Sequence, residues 1–594
     1  MFDLKIEYSR FIFALLLFIT SCKNQELTRE ESFVTLFEIS EGKQTPTYQE
    51  VIDFYIELAR EFPEINIQTM GYTDSGVPLH IVTYNKEGNF NFAKIRERNA
   101  IILINNGIHP GESDGIDATM MLFRDMATEK INPPKRTVLV TIPIYNIGGA
   151  LNRNSSTRAN QNGPEIYGFR GNARNYDLNR DFIKKDTKNS FSFAEIFHLV
   201  KPDFFIDNHV SNGADYQYIL THLFTQHNKL GGDAGRYLHE QLMPELEDSL
   251  AAKKWDITPY VNVFNRSPET GFSQFMDFPR YSTGYASLWN TFGLMVETHM
   301  LKPYDKRVKG TYELLKSAVE IVEKNKDTLT ALKRSATDAW MQRDHYPIKW
   351  KKDTTRHSEV TFKGYEVDTI MSEVTGFNRL VYDRNQPYER TIRYENYYVA
   401  TDSIEIPYAY IIPKGWYEIK ERLEANKVDF NEIEMDTVIK AEIYKIEDYD
   451  TASQPYEGHY PHYNTKVTKV LDSIQLNKGD IIVETAQPGL RYLLETLEPV
   501  ATDSFFNWNF FDTVLQQKEG FSPYVFEDEA KQILLNDRIL DSAFQEKKKT
   551  DLQFANNWYA QLEWIFKKSS HYEKAHMRYP IFRIPKIRIK SEVK

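Results

Sequence analysis

The stretch AIILINNGIHPGE, residues 100–112, decides the fold of this chain. Its first five residues are all apolar, which is typical of a strand buried on both faces of a parallel sheet. A short loop follows, and residues 117–128 then read as a helix. Further apolar strands are predicted at residues 137–145, 204–207 and 293–297, with helices between them. This alternation indicates an α/β fold built on a mixed, largely parallel sheet flanked by helices.

A candidate metal site follows directly from this stretch. His109 and Glu112 are three positions apart at the corner between the strand and the helix, so both side chains can face one point. His209 ends another apolar strand, and ligands of such sheets bind beyond the carboxyl ends of the strands. Two histidines and one glutamate suit a catalytic zinc ion that keeps a fourth position open. Asp207, two residues before His209, is placed to orient an imidazole ring.

The composition limits which metal ligands and partners are available. The chain has 594 residues, enough for two to four domains. Its single cysteine cannot form an internal disulfide or a thiolate zinc cluster, so any metal must be held by histidine, aspartate or glutamate. The formal net charge of -11 argues against a nucleic-acid partner, because binding to nucleic acid depends on a basic surface.

The one cysteine, Cys22, stands at the end of a predicted signal peptide. Residues 11–19 are uninterruptedly apolar but only about half as long as a membrane-spanning helix. The sequence Thr20-Ser21-Cys22 that follows resembles the lipobox of bacterial lipoproteins, in which the cysteine is lipidated and begins the mature protein. We therefore expect a signal peptide over residues 1–21 and a lipid anchor at Cys22 that holds the protein to a membrane. The predicted location is extracytoplasmic, as a bacterial cell-envelope lipoprotein at the outer membrane or cell surface.

The sequence changes character along its length, which suggests several domains. A polar tether is expected at residues 22–45, followed by the α/β domain at 46–325. Residues 340–500 hold short aromatic and β-branched segments that predict a β-rich accessory domain, in which His459 and His462 are interpreted as part of an aromatic surface loop. Helical periodicity returns in residues 501–594. The basic tail at 583–590 is predicted to be an edge strand or a frayed end.

An arginine-rich segment lies between the two candidate histidine ligands. Arg170, Arg174 and Arg180 all fall within residues 169–181. Beside a metal site they would form a strong anion pocket, because a guanidinium group matches a carboxylate with two parallel hydrogen bonds.

Taken together, these motifs resemble those of the zinc metallocarboxypeptidases of the carboxypeptidase A superfamily. The resemblance runs over roughly residues 45–325 and rests on four elements in order. They are the His-x-x-Glu pair at His109 and Glu112, the sequence Asp177-Leu178-Asn179-Arg180, the third histidine His209, and the late strand glutamate Glu297.

The resemblance implies a set of roles for these residues. One zinc ion per chain would be bound by His109, Glu112 and His209. Asn179 and Arg180 would bind the free C-terminal carboxylate of a peptide. Glu297 would be the general base that takes a proton from an activated water and passes it to the leaving amine.

The resemblance also implies an arginine that polarises the scissile carbonyl group and a tyrosine that folds over the substrate. Arg170 matches that arginine, with Arg174 as the alternative. Tyr281 fits the tyrosine better than Tyr285 does. One departure is Gly111, which stands where digestive members of the family have an arginine just before the glutamate ligand.

Three functions are compatible with these expectations. The first is removal of residues from the C-termini of peptides or proteins by a metallocarboxypeptidase. The second is a zinc amide hydrolase that acts on cell-wall peptides or on N-acyl amino acids. The third, a non-catalytic surface binding protein, is disfavoured because every metal, base and anion-binding position is retained.

Overall fold

The computed structural model of the chain describes residues 33–586, which contain nineteen strands. In chain order the strands are β1 (Ile65–Tyr72), β2 (Pro78–Tyr84), β3 (Ala100–Asn105), β4 (Thr137–Ile142), β5 (Phe204–Ser211), β6 (Leu220–Phe224), β7 (Ile257–Pro259), β8 (Phe272–Ser273), β9 (Phe292–His299), β10 (His345–Lys352), β11 (Ser358–Met371), β12 (Asn378–Glu395), β13 (Tyr398–Glu405), β14 (Ala409–Ile412), β15 (Asn431–Glu432), β16 (Thr437–Thr451), β17 (His462–Leu476), β18 (Ile481–Glu484) and β19 (Phe582–Ile584).

The α-helices of the same part of the chain fall between these strands and in a late cluster. They are α1 (Leu36–Ile39), α2 (Tyr48–Glu61), α3 (Phe92–Arg98), α4 (Asp114–Ala127), α5 (Ile147–Leu151), α6 (Lys188–Val200), α7 (His227–Leu230), α8 (Gly232–Tyr237), α9 (Met243–Ala252), α10 (Ser282–Ser287), α11 (Tyr304–Met341), α12 (Tyr417–Ala425), α13 (Leu490–Leu497), α14 (Pro523–Asn536), α15 (Arg538–Thr550), α16 (Leu552–Ala555) and α17 (Trp558–Phe566). A π-helical turn (Leu238–Leu242) joins α8 to α9, and three short 3-10 helices lie at Leu178–Arg180, Pro268–Thr270 and Asp512–Leu515.

The main sheet has eight strands in the order β1-β2-β4-β3-β5-β9-β6-β7. Its four central strands, β4, β3, β5 and β9, run parallel to one another. Antiparallel pairs flank them, β2 with β4 on one side and β6 with β9 on the other. Every residue of β3, β4 and β5 is buried, as expected for strands covered on both faces. The predicted α/β fold with a mixed, largely parallel sheet flanked by helices is confirmed.

The C-terminal region, residues 342–586, is built mainly from three smaller sheets. β10 pairs with β13, the long hairpin β11–β12 takes β8 as a third strand, and six strands form the sheet β15-β18-β14-β19-β16-β17. β19 lies inside that last sheet, so the prediction of an edge strand or frayed end is wrong for residues 583 and 584. Residues 587–590 of the predicted tail lie outside the described residues. Arg583 is buried there because Glu442 and Glu498 pair with its guanidinium group at 3.2 and 3.1 Å.

The N-terminal region, residues 33–341, packs continuously against the C-terminal region. Ile183, Leu288 and Trp340 of the N-terminal region belong to the same buried cluster as Tyr410 and Leu493 of the C-terminal region. The predicted boundary at residue 325 falls inside α11, which continues to Met341. Among the described residues, none of the helices combines the length and apolar character that crossing a bilayer requires.

Candidate metal centre

A tight turn after β3 brings the first two candidate ligands together. The backbone N–H of Glu112 donates to the carbonyl oxygen of His109 at 2.8 Å, and α4 begins two residues later. His209 lies on β5, which is the parallel neighbour of β3. The ligand atoms of His109, Glu112 and His209 all lie within 4.8 Å of one another, and all three side chains are buried. The structure therefore places the three predicted ligands around one point.

Each histidine is held by a carboxylate on the ring nitrogen that faces away from Glu112. His109 Nε2 lies 2.9 Å from Asp177 Oδ1, and His209 Nε2 lies 2.8 Å from Asp207 Oδ2. Asn105 Nδ2 donates to the other oxygen of Asp207 at 2.9 Å and so orients it. When the imidazole is neutral, a carboxylate that accepts the Nε2 proton leaves the Nδ1 lone pair available for a metal ion.

Glu112 is surrounded by nitrogen atoms on both of its oxygens. Oε2 accepts from the backbone N–H of Val210 at 3.0 Å and lies 3.1 Å from His209 Nδ1. Oε1 accepts from Arg158 Nη1 at 2.9 Å and lies 3.3 Å from His109 Nδ1. Burial alone would raise the pKa of Glu112, but His109 and Arg158 hold it well below its ordinary value. Glu112 is therefore ionised, as a zinc-binding carboxylate must be.

The glycine just before Glu112 has a structural reason. A Cβ atom at Gly111 would lie 2.6 Å from Cδ of Arg158 and 2.9 Å from the backbone oxygen of Gly168. Arg158 thus packs where a side chain at position 111 would begin, and its guanidinium group donates to the candidate ligand Glu112. Sequence reasoning missed Arg158, because it lies 46 residues from Glu112 in a loop without a recognisable motif.

Glu297 lies beside the metal centre on β9. It stands directly across from His209, because β5 and β9 are parallel neighbours with those two residues in register. The side chain is half-buried. Burial raises the pKa of Glu297 to about 8, with His209 opposing the rise and Glu112 adding to it. A carboxyl group so placed responds strongly to any cation held by the three ligands.

The predicted carboxylate-binding residues lie on the 3-10 helix Leu178–Arg180, which begins after Asp177. Arg180 stacks its guanidinium group on the ring of Tyr281 at 4.8 Å. Asn179 Oδ1 accepts from the backbone N–H of Ser282 at 3.3 Å, so the first turn of α10 is tied to the same segment. The 3-10 helix and the start of α10 thus bring four side chains together near the candidate metal centre. They are Asp177, Asn179, Arg180 and Tyr281.

The two candidate arginines occupy different surroundings. Arg170 Nη1 lies 3.6 Å from Glu112 Oε1, and Arg170 Nη2 lies 2.8 Å from Asp177 Oδ2. Arg174 donates to the backbone oxygen of Asp186 at 2.9 Å and stacks on Tyr176, with its side chain half exposed. Of the two, Arg170 is the one in contact with a candidate metal ligand.

Tyr285, the alternative to Tyr281, lies in the core of the protein. Tyr285 is fully buried and donates to Asn426 at 2.6 Å, so it is less suited than Tyr281 to fold over a substrate. Cys22, the signal peptide and the first part of the tether lie outside the described residues.

Part of the chain matches a known protein family. Residues 51–199 match the family model described as zinc carboxypeptidase. The chain contains a zinc carboxypeptidase domain. The matched range holds His109, Glu112 and Arg180, and it ends before His209 and Glu297. The chain is accordingly an enzyme of the zinc carboxypeptidase type, and the His-Glu-His group is the place in it where zinc fits.

Several proteins similar to this chain in sequence or in structure are named carboxypeptidases. Carboxypeptidase 2 of Trichophyton rubrum is 22% identical over 494 residues, which cover 78% of this chain and 84% of that protein. Carboxypeptidase 2 of Trichophyton equinum is 22% identical over 493 residues, with the same coverage. Among solved structures, carboxypeptidase A of Helicoverpa armigera is 14% identical with a TM-score of 0.36, covering 53% of this chain and 81% of its own. A metallo-carboxypeptidase of Pseudomonas aeruginosa, in complex with (2-guanidinoethylmercapto)succinic acid, is 13% identical with a TM-score of 0.35, covering 48% and 69%.

Proposed function

We propose that this protein is a zinc-dependent metallocarboxypeptidase that hydrolyses the C-terminal amide bond of peptides. One observation carries the proposal. His109, Glu112 and His209 converge on one point, and Glu297 stands across from His209 on the neighbouring strand. Three protein ligands with a carboxyl group beside them are what hydrolysis at a zinc centre requires.

The donor set suits zinc, and we expect one ion per chain. The three ligands are two imidazoles and one carboxylate, and Asp177 and Asp207 fix the tautomers of the two imidazoles. Zinc bound there would supply Lewis-acid polarisation of the amide carbonyl group and would lower the pKa of an attacking water. The remaining chemistry belongs to side chains of this chain.

Glu297 is the proposed general base. A bound cation favours the ionised form of Glu297 and so opposes the rise in pKa that burial causes. The ionised carboxylate then accepts a proton from the attacking water and donates it to the leaving amine. Arg170 places a positive charge beside the centre, where it stabilises the charge that develops on the carbonyl oxygen.

Arg180 and Asn179 are proposed to hold the free carboxylate of the substrate. A guanidinium group binds a carboxylate with two parallel hydrogen bonds, which fixes orientation as well as distance. Tyr281, stacked on Arg180, is the proposed side chain that closes over the bound residue. Recognition of the carboxylate would restrict cleavage to the last peptide bond.

A substrate screen tests this function. The zinc-loaded protein is incubated with three substrate classes: N-blocked dipeptides, cell-wall muropeptides and N-acyl amino acids. The products released from each are identified by mass spectrometry. We expect single C-terminal residues to be released from the blocked dipeptides. Hydrolysis of muropeptides or acylated amino acids alone would favour the second function and contradict ours.

We also propose that the protein is exported and anchored by a lipid at Cys22. The support is the short apolar run before a lipobox-like sequence, at the only cysteine of the chain. Metabolic labelling with a palmitate analogue should mark the wild-type protein and leave Cys22→Ser unlabelled. Equal labelling of both would contradict the anchor.

A further inference from the structure

A turn of the C-terminal region contacts the segment of the N-terminal region that carries Asn179 and Arg180. This turn, residues 456–459, is closed on itself by two backbone hydrogen bonds between Tyr456 and His459, of 2.7 and 3.1 Å. Glu457 Oε2 accepts from the backbone N–H of Asp177 at 2.8 Å, although the two residues are 280 positions apart. We propose that Glu457 is a positioning residue, which holds the segment of Asn179 and Arg180 in the conformation that binds the substrate carboxylate.

Asp177, which donates the hydrogen bond to Glu457, has two contacts of its own in the candidate site. Asp177 caps the 3-10 helix Leu178–Arg180, and its Oδ1 accepts from the backbone N–H of Asn179 at 2.9 Å. The same oxygen lies 2.9 Å from Nε2 of His109. Fixing the backbone of Asp177 therefore fixes the start of the helix that carries Arg180, and it also fixes the partner of a metal ligand.

Two further contacts of the turn meet the same segment. His459 Nε2 lies 2.8 Å from Asp186 Oδ2, so this histidine of the predicted surface loop pairs with a carboxylate of the N-terminal region. Gly458 has a φ of +80°, and a Cβ atom there would lie 2.7 Å from the hydroxyl oxygen of Tyr176. The turn thus contacts residues 176–186 at three places, with no room for a side chain at its centre.

The side of the turn that faces α10 is fixed as well. The guanidinium group of Arg280, the residue before Tyr281, lies 5.8 Å from the ring of Tyr456 and 4.9 Å from the ring of Trp508. Asp503 accepts from the backbone N–H and from Nε of Arg280, both at 2.8 Å. The C-terminal region therefore also anchors the start of the segment that carries Tyr281.

Glu457 is close to the charges that would meet a substrate carboxylate. Burial raises the pKa of Glu457, and the positive charges of Lys184 and Arg180 oppose the rise. A hydrogen bond from a backbone N–H to a carboxylate is typically worth about a factor of ten or more in an equilibrium. Losing it should loosen the segment and weaken the grip of Arg180 on the substrate. The inference rests on the proposed function and gives the C-terminal region a part in it.

The test compares Glu457→Ala with Glu457→Gln in the full-length, zinc-loaded protein. The amide oxygen of glutamine can still accept from Asp177, whereas alanine cannot. We expect KM for an N-blocked dipeptide to rise about tenfold in Glu457→Ala, with kcat changed less than about threefold, and to stay near the wild-type value in Glu457→Gln. Glu434→Ala, at an exposed glutamate of the same region, is the matched control and should leave KM unchanged.

Hydrogen–deuterium exchange of residues 176–186 gives a readout that does not depend on activity. Faster exchange of this segment is expected in Glu457→Ala and not in Glu457→Gln or Glu434→Ala. A wild-type protein that releases no C-terminal residue would contradict the proposed function, while the exchange data would still decide the role of Glu457. Unchanged exchange in a folded Glu457→Ala protein, or equal effects of alanine and glutamine, would overturn the inference.

Discussion

Glu297 and His209 stand directly opposite each other on the parallel strands β9 and β5, so the proposed base and a proposed zinc ligand have a fixed spacing set by the sheet. Replacing Glu297 with glutamine keeps the shape of the side chain but removes its ability to accept a proton. We expect kcat to fall by about 10² to 10⁴, the usual contribution of a general base, while zinc stays bound. Steady-state kinetics with metal analysis of the same sample measures both quantities.

The control for this variant is Glu240→Gln, at an exposed glutamate of the same region, which should keep wild-type activity. Near-normal turnover in Glu297→Gln would sink the assignment of Glu297 as the base. Loss of zinc together with activity would show instead that the carboxylate is needed to hold the metal.

The carboxylates behind the two histidines should control zinc affinity. In Asp177→Asn and Asp207→Asn, the partner of each imidazole Nε2 loses its charge, and zinc affinity should fall about 10- to 100-fold. Competition against a chromophoric chelator measures the affinity. The exposed Asp233→Asn variant is the control. Unchanged affinity in both buried variants would mean that these aspartates do not orient metal ligands.

Alanine substitutions at Arg170 and at Arg174 should have clearly different effects on kcat. Arg170 contacts Glu112 and Asp177 at the centre, whereas Arg174 donates to a backbone oxygen at the edge of the segment. We expect Arg170→Ala to lower kcat by about 10² to 10³, because a charge aimed at the developing oxyanion is lost. Arg174→Ala should change kcat less than about threefold. A reversed order of the two effects would make Arg174 the carbonyl-polarising residue.

A buried carboxyl group away from the centre should give the fold a pH dependence. Asp117 is fully buried, with Oδ2 accepting from Thr45 and Tyr304 and with Oδ1 lacking a partner within residues 33–586. Burial raises the pKa of Asp117 to about 7, above the ordinary value of an unfolded aspartate. The folded state then binds more protons than the unfolded state between about pH 4 and pH 7, so stability falls as the pH rises through this window.

Between pH 5 and pH 8 the loss from Asp117 should be roughly 2 to 3 kcal/mol. Urea unfolding of the wild type and of Asp117→Asn at both pH values measures it, because the asparagine variant lacks this contribution. The stability difference between the two proteins should therefore shift in favour of Asp117→Asn as the pH rises. A constant difference at both pH values would refute a raised pKa for Asp117.

The parts of the fold that sequence predicts best are those governed by local pattern. The apolar run at residues 100–104 becomes the fully buried strand β3, because five apolar residues in succession suit a strand covered on both faces. The convergence of His109, Glu112 and His209 follows from the same pattern, since parallel strands end at one edge of the sheet.

What sequence could not predict are contacts between distant segments. Arg158 contacts Glu112 from a loop, and Glu457 contacts Asp177 from the C-terminal region. Neither residue lies in a recognisable motif. His462 and Arg583 differ from their sequence interpretation for the same reason. Both are buried beside carboxylates that are distant in sequence, Asp512 for His462 and Glu498 for Arg583. A charged residue is interpreted as exposed until its partner is known.

The most direct test of the account is to restore metal-free protein with zinc while its activity on an N-blocked dipeptide is followed. We expect release of the C-terminal residue to rise with each addition and to level off at one zinc ion per chain. The same peptide with an amidated C-terminus should be hydrolysed far more slowly. Activity that does not depend on zinc, or no release of a C-terminal residue at any zinc ratio, would contradict the account.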